Sequence, residues 1–193
     1  MQPANRFAFK EWGAVCAALG AGAQSVILRK GGIHEGPGGF RPDHDEFWLF
    51  PTRFHQAPEE IAEAGRHFID VAARDEPPPG RVRLSLYAAV DQAIPLADEA
   101  LLVELAGEHI LAPHVVAERF HYRRPGLFVL PVRVFALPEP IELPDSPHFA
   151  GCRSWVDLPN ELSTERLRPV LTDEQHAERV ARLRREIAPR RIV

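Results

Sequence analysis

The sequence is poor in cysteine and lysine and has no long hydrophobic run. Cys16 and Cys152 are the only cysteines, too few for a disulfide framework or a cysteine-based structural zinc site, and they indicate reduced thiols in a cytoplasmic protein. Residues 1–6 lack the apolar core of a signal peptide, and no apolar run approaches the length that spans a membrane. We therefore expect a cytoplasmic protein without a membrane partner.

The length and the charge of the chain limit which architectures and which binding partners are possible. The 193 residues, 45% of them hydrophobic, suffice for one compact domain, which we predict over residues 1–165 with a basic helix over 166–193. The formal charge of −4 is uneven: six arginines and one glutamate between residues 179 and 191 give a local balance of +5 and leave about −9 elsewhere. A nucleic acid would therefore need a local basic patch on the body of the protein.

Hydrophobic periodicity and capping signals predict the helices. Apolar residues at helical spacing indicate a helix over residues 7–19, and a proline-initiated helix is predicted over 58–74. Asp98 is a suitable cap for a short helix that Gly107 would close, whereas residues 109–125 show no clear pattern. A capping box from Thr172 to Gln175 opens the last helix.

Short runs of β-branched and alternating residues predict the strands. They lie at residues 25–30, 46–50, 82–90 and 126–137, with a further short strand near 151–156 and a proline-rich connector at 77–80. Strands of mixed order joined by long loops, with helices at the ends, predict an α+β fold. We expect a small, mixed, curved sheet or open β-barrel flanked by helices.

Polar side chains are concentrated in residues 24–56, between two short hydrophobic runs. Arg29 and Lys30 end a predicted strand and precede Gly31 and Gly32, where two cations and exposed backbone N–H groups could hold a phosphate. The spacing matches neither a P-loop nor a dinucleotide fingerprint. The alternative is that both cations are solvated at a strand end.

Aromatic and small polar residues favour a pocket for a nucleic-acid base. Aromatic rings would stack on the base while neighbouring polar groups bind its edge, and the cations interleaved with aromatics in residues 119–124 suit a nucleic-acid backbone. The alternative is that the rings belong to the core and that residues 119–124 form an ordinary polar loop. The predicted binding residues are Arg29, Lys30, Glu46, Trp48, Thr52, His55, Gln56, Arg119, Tyr122, Arg123, Ser154 and Trp155.

Histidines and carboxylates in the same stretch raise a second possibility, a metal site. Imidazole and carboxylate together suit zinc, iron or manganese, although no helical His-Glu-x-x-His pair occurs. Cys152 would need a neighbouring base to act as a nucleophile. We predict no metal, no other cofactor and no catalytic residue. The candidate metal ligands are His34, Glu35, His44, Asp45, Glu46 and His55.

Several spaced motifs resemble the bacterial family called domain of unknown function 1802, over residues 7–158. That family has no established activity, and the fusion of some members to restriction-type endonuclease domains implies a link to modified or foreign DNA and an endonuclease partner. The motifs are Phe9-Lys10-Glu11-Trp12, Leu28-Arg29-Lys30-Gly31-Gly32-Ile33, Phe47-Trp48-Leu49-Phe50-Pro51-Thr52 with His55-Gln56, and Gly151-Cys152-Arg153-Ser154-Trp155-Val156.

Residues 22–29 are similar to the ASCH branch of the PUA-like barrels, whose motif reads Gly-x-Lys-x-x-Glu-x-Arg. Gly22 and Arg29 fit, but Gln24 and Ile27 stand where the motif has lysine and glutamate. Those two residues carry the amide-hydrolysing chemistry proposed for some ASCH proteins. The resemblance therefore implies a PUA-like barrel that binds RNA or flipped modified bases, without that chemistry.

These observations favour a non-enzymatic module that binds DNA or RNA, including modified bases. The pocket would lie between residues 29–56 and 119–155, and the role would belong to restriction, defence or RNA metabolism. Two alternatives stay open. One is a small metal-dependent hydrolase or nuclease subunit, and the other is a structural adaptor that acts through its C-terminal helix.

Overall fold

The computed structural model describes residues 1–30, 44–53, 56–151 and 153–187. The strands are β1 (Ala4–Trp12), β2 (Val26–Arg29), β3 (Glu46–Thr52), β4 (Arg81–Val90), β5 (Ile94–Leu96), β6 (Leu127–Pro144), β7 (Trp155–Ser163) and β8 (Arg168–Pro169). The α-helices are α1 (Gly13–Gly20), α2 (His67–Arg74), α3 (Pro113–His121) and α4 (Asp173–Glu186).

The eight strands form one open, mixed sheet in the order β2-β6-β4-β3-β1-β7. The strands β5 and β8 pair with different parts of the long strand β6. The strands β1 and β3 run parallel, whereas the other pairings are antiparallel. The predicted α+β fold with a mixed sheet flanked by helices is confirmed.

Neighbouring residues of β1 and β3 enter two separate hydrophobic clusters. Phe9 and Phe47 pack with α1, β2 and α3, whereas Ala8 and Trp48 pack on the other side with residues such as Tyr87 and Leu158. Successive side chains of a strand point to opposite faces of the sheet, so both faces of these two strands are covered. In the sequence of such a strand, apolar and polar residues do not alternate as they do in a strand with one exposed face.

The prediction of a helix over residues 7–19 is wrong in its first half. Residues 7–12 belong to β1, which pairs with β3 on one side and β7 on the other, and α1 begins only at Gly13. Val15, Cys16 and Leu19 are buried on α1, as their spacing predicted. The aromatic residues before them belong to the central strand β1. The helical spacing of the neighbouring apolar residues hid this strand in the sequence.

The predicted helix over residues 58–74 is also shorter than expected. Two 3₁₀ turns, Pro58–Glu60 and Glu63–Gly65, precede α2. Between them Ile61 forms a bridge with Leu111, in which the Ala62 N–H donates to the Ile110 carbonyl at 2.8 Å. This bridge takes backbone groups that a continuous helix would need.

Residues 109–125 contain a helix that the sequence did not predict, whereas the capping box at Thr172 is confirmed. Pro113 starts α3, and Val115, Val116 and Phe120 form its buried side. At α4 the Thr172 side chain accepts from the Gln175 N–H, and the Gln175 side chain accepts from the Thr172 N–H. Among the described residues no helix is long and apolar enough to cross a membrane.

Candidate functional site

A cluster of five cations lies where β2 ends beside the C-terminal end of α3. We call these residues the cationic patch: Arg29, Lys30, Arg119, Arg123 and Arg124. The Lys30 ammonium donates to the carbonyl oxygens of Phe120, at 3.0 Å, and of Arg124 and Gly126. A cation at this position also complements the negative end of the α3 dipole. Lys30 therefore joins two segments that are far apart in the chain.

The carboxylate of Glu11 lies beneath the patch, between two guanidinium groups. Arg29 Nε is 4.0 Å from Glu11 Oε2, and Arg29 Nη2 donates to the Lys10 carbonyl at 2.6 Å. Arg119 Nη1 donates to the Leu28 carbonyl at 3.0 Å. Burial lowers the pKa of Arg119, and the charge of Glu11 opposes that shift. Glu11 thus supplies a negative charge to two partly buried arginines.

Both guanidinium groups also lie over aromatic rings. The Arg29 guanidinium carbon is 4.3 Å from the centre of the Phe9 ring, and that of Arg119 is 5.1 Å from the centre of the Trp12 ring. Cation–π contacts of this kind restrict a guanidinium without neutralising it. The two arginines are therefore held in place with their charge retained.

All five residues of the patch are cationic, in a protein whose formal charge is −4. Among the neighbouring acids, Glu11 faces Arg29, Glu60 acts electrostatically on Arg119, and Glu99 contacts His121 at 2.9 Å. Of the described carboxylates, Glu11 therefore acts on both Arg29 and Arg119, and Glu60 acts on Arg119. A cluster of cations is the local feature that a nucleic-acid ligand needs on an acidic protein.

An exposed aromatic ring lies at the edge of the cationic patch. Tyr122 is 51% exposed, and the Arg123 guanidinium carbon is 5.2 Å from the centre of its ring. Arg123 has a φ of +62°, a backbone conformation that L residues seldom adopt. The turn after α3 therefore presents an aromatic face and a cation side by side.

Glu46 and Trp48 lie away from the patch, toward the opposite end of β3. Glu46 accepts from the Gln2 N–H at 2.8 Å and from the Tyr87 hydroxyl at 2.9 Å. Burial alone would raise the pKa of Glu46, but these bonds and the N-terminal ammonium lower it. Trp48 is fully buried and donates from Nε1 to the Asn5 carbonyl at 3.0 Å. Trp48 is a core residue and does not line a surface pocket.

Thr52 and Gln56 support the segment that carries Glu11. The Thr52 hydroxyl donates to the Glu11 carbonyl at 3.2 Å, and Gln56 Oε1 accepts from the Ala14 N–H at 2.9 Å. The Ala14 N–H belongs to the first turn of α1, where backbone donors lack partners within the helix. Both side chains therefore fix the β1–α1 junction. The predicted binding residue His55 lies outside the described residues.

Ser154 and Trp155 border the patch on the side of β7. The Ser154 carbonyl accepts from the Lys10 N–H at 2.8 Å, so its backbone extends the sheet. The half-buried Trp155 ring is 4.8 Å from the Phe9 ring, which also carries the Arg29 guanidinium. Trp155 and Arg29 therefore share one aromatic neighbour. The side chain of Ser154 is half-buried.

A large groove lies behind the β1–α1 junction and is distinct from the cationic patch. It has a volume of about 1020 Å³ and is lined by parts of α1, α2 and β4 and by the turns at 77–80 and 145–150. Its rim arginines are paired with acids: Arg83 contacts Asp75 at 2.9 Å and Glu142 at 2.7 Å. The charge of Arg83 is therefore compensated by two carboxylates.

The metal alternative finds no support in the described parts of the chain. Within them no three histidine, cysteine or acidic side chains are close enough to hold a metal ion. The His44 ring is stacked on Phe7, with 3.5 Å between the ring centres. His34, Glu35 and Cys152 lie outside the described residues.

Two buried residues that interact with the arginines of the patch, Glu11 and His109, were not among the predicted site residues. Glu11 falls within the Phe9-Lys10-Glu11-Trp12 motif, but only the fold shows its proximity to Arg29 and Arg119. His109 is 8% exposed and accepts from the Leu111 N–H at Nδ1. Burial, together with the charge of Arg119, lowers the pKa of His109 to about 4. His109 is therefore neutral beside the patch at neutral pH.

The low pKa of His109 predicts a loss of stability in mild acid. In the unfolded chain the histidine takes up a proton near pH 6.5, whereas in the folded protein it does so only near pH 4. Between these two pH values the unfolded state binds more protons than the folded state. The free energy of unfolding therefore falls as the pH falls, by about 3 kcal/mol over the whole range.

Urea unfolding at about pH 7 and about pH 4.5 measures this loss. In His109→Asn the amide oxygen can still accept from the Leu111 N–H but cannot take up the proton. We expect the variant to lose roughly 2–3 kcal/mol less than the wild type over this range. Equal losses in the two proteins would show that His109 is not held neutral.

Comparison with known proteins places the chain in a family. A family model described as "Domain of unknown function (DUF1802)" matches residues 8–182. The chain belongs to this family. The resemblance predicted from the spaced motifs is thus confirmed, and it extends into α4. No curated protein matches this member of the DUF1802 family.

Solved structures of an ASCH protein from Zymomonas mobilis are similar to this DUF1802 chain. A tyrosine-to-phenylalanine variant is 13% identical, with 91% of this chain and 96% of that chain covered and a TM-score of 0.45. The unsubstituted ASCH protein is 14% identical, with 92% and 94% covered and a TM-score of 0.41.

Proposed function

We propose that the protein is a non-enzymatic module that binds single-stranded nucleic acid at the cationic patch. The observation that carries this proposal is the arrangement of Arg29 and Arg119, which converge on Glu11 and lie over aromatic rings at a half-buried surface. Arginines held in this way present donors at fixed positions, and guanidinium groups match phosphate geometry.

The proposed ligand contacts two kinds of group. Phosphates lie along the arginines, and an unpaired base stacks on Tyr122, the exposed ring beside Arg123. Stacking on an exposed aromatic ring needs a base that is not enclosed in a duplex, which favours a single strand or a loop. The partnership with a restriction-type endonuclease and the cytoplasmic location stay predictions from the sequence.

The stacking contact is tested by Tyr122→Ala, with Tyr122→Phe as the matched control. We expect the alanine variant to bind fluorescent single-stranded RNA or DNA roughly tenfold more weakly, since one base–aromatic contact contributes about 1–3 kcal/mol. The phenylalanine variant keeps the ring and should bind like the wild type. The ring is exposed, so neither change should alter the urea midpoint.

The same titration identifies the class of nucleic acid. The probes are single-stranded RNA, single-stranded DNA and single-stranded DNA that contains methylated cytosine. A duplex of the same sequence is titrated as a further probe. Equal binding of Tyr122→Ala and Tyr122→Phe would refute the stacking contact. Preference for the duplex over every single strand would refute the proposed ligand class.

A further inference from the structure

Three buried polar atoms without a protein partner surround one small cavity under α4. They are Ser25 Oγ, Arg133 Nε and His176 Nδ1, and none has a hydrogen-bond partner in the part of the chain that the structure describes. Ser25 precedes β2, Arg133 lies on β6, and His176 lies in α4. All three residues line the same cavity.

The other polar groups of these residues are already paired. Arg133 Nη2 donates to Asp173, His176 Nε2 lies 2.9 Å from Asp91 Oδ2, and the Ser25 carbonyl accepts from the Val132 N–H at 2.9 Å. The amide of Gln24, which also lines the cavity, donates to the Val26 carbonyl and accepts from the Ile110 N–H. Each of these side chains therefore has a protein contact through another of its atoms or through its backbone, and the three buried atoms are left without one among the described residues.

The size and the polarity of the cavity define what it can bind. Its volume is about 10 Å³, which is at the lower limit of about 10–15 Å³ for a site that holds one water molecule and leaves no room for a larger ligand. Buried polar atoms of native proteins are rarely left unpaired, because an unmet hydrogen bond in a low-dielectric interior is costly. The guanidinium of Arg133 disfavours a cation at this position.

We propose that one long-lived water molecule occupies this cavity and connects α4 to the sheet. The water accepts a hydrogen bond from Arg133 Nε–H and donates one to His176 Nδ1 and one to Ser25 Oγ. His176 then carries its proton on Nε2, from which it donates to Asp91. Each of the three protein atoms then makes one hydrogen bond to the water. The water makes three hydrogen bonds in total, the usual number for a buried water.

The proposed water joins three segments at the base of α4. Around it the helix is attached by direct contacts: Arg179 donates to the Ala23 carbonyl at 3.1 Å, and Arg182 contacts Glu108 at 2.6 Å. Leu183 is buried in the core. The water thereby adds a second polar contact between α4 and the sheet, beside the direct bond from Arg133 to Asp173.

Oxygen-17 relaxation dispersion counts the long-lived buried waters of the intact protein. Ser25→Val fills the cavity and removes one partner, so we expect the count to fall by one. Ser163→Val, at an exposed position on β7, should leave the count unchanged. Unchanged counts in both variants would overturn the proposal, provided that Ser25→Val retains the wild-type circular dichroism spectrum.

A high-resolution crystal structure of the wild type tests the proposal without any variant. The expected result is one ordered density peak within hydrogen-bond distance of all three atoms. A second readout is the nitrogen-15 spectrum of His176, which should show the proton on Nε2. An empty cavity in a map that reveals other buried waters, or direct pairing among the three side chains, would overturn the proposal.

Discussion

Trp48→Ala is expected to lower the free energy of unfolding by about 3–5 kcal/mol, because it removes the largest fully buried side chain of the described core. The Trp48 ring packs 5.0 Å from the Tyr87 ring, and its Nε1–H donates to the Asn5 carbonyl. The variant leaves a cavity and an unpaired carbonyl. Urea unfolding monitored by circular dichroism measures the loss.

Trp155→Ala is the matched control for this experiment. The Trp155 ring is half-buried and contacts Phe9 and Phe47 at the edge of the core, so its removal should cost roughly 1–2 kcal/mol. If Trp48→Ala were no more destabilising than Trp155→Ala, the position of Trp48 in the core would be contradicted. A loss of nucleic-acid binding by Trp48→Ala would then need a direct contact to explain it.

Glu11→Gln is expected to destabilise the fold and, at the same time, to strengthen nucleic-acid binding. The carboxylate is 3% exposed, and without its charge Arg29 and Arg119 lose their shared counter-ion, at a cost of about 2–4 kcal/mol. A bound phosphate no longer competes with Glu11 for these arginines. Affinity should therefore rise roughly fivefold at low salt, which corresponds to about 1 kcal/mol.

The control for this pair of measurements is Glu165→Gln, which makes the same change in net charge at an exposed residue outside the patch. We expect neither its stability nor its affinity to change appreciably, because separated surface charges are screened by salt. Urea unfolding and fluorescence anisotropy supply the two readouts. Reduced stability of Glu11→Gln together with reduced affinity would indicate that Glu11 only maintains the fold.

Several strands were predictable from the sequence, and β1 was not. Alternating residues over 82–90 correctly indicated β4, and the run over 126–137 indicated the first part of β6. The strand β1 is covered on both faces, and its aromatic residues lie next to a real helix, so its local pattern was ambiguous. The contacts that decide its conformation come from β3 and β7, far along the chain.

The candidate site was predictable in its residue types but not in its geometry. In the sequence, Arg29 and Lys30 were recognisable as two cations at the end of a predicted strand, and residues 119–124 were recognisable as a cluster of cations. The fold brings these two groups together through the hydrogen bonds of Lys30. The sequence offered no sign that Glu11 lies between two arginines, since that contact depends on how β1, β2 and α3 pack. The burial of Trp48 was hidden for the same reason.

The salt dependence of nucleic-acid binding is the most direct test of whether the cationic patch binds phosphates. The cationic patch is compared in three proteins: the wild type, the double variant Arg123→Gln/Arg124→Gln, and the matched double variant Arg166→Gln/Arg168→Gln, whose arginines are exposed elsewhere. Fluorescent single-stranded RNA and DNA are titrated over a range of salt. Each lost phosphate contact should reduce the slope of log affinity against log salt by about 0.7.

We expect saturable, salt-sensitive binding by the wild type. The patch variant should bind roughly tenfold more weakly, with a slope smaller by about 1.4, while the matched variant follows the wild type. Equal behaviour of the two double variants, or no binding by the wild type at low salt, would contradict the assignment of the cationic patch as a nucleic-acid site.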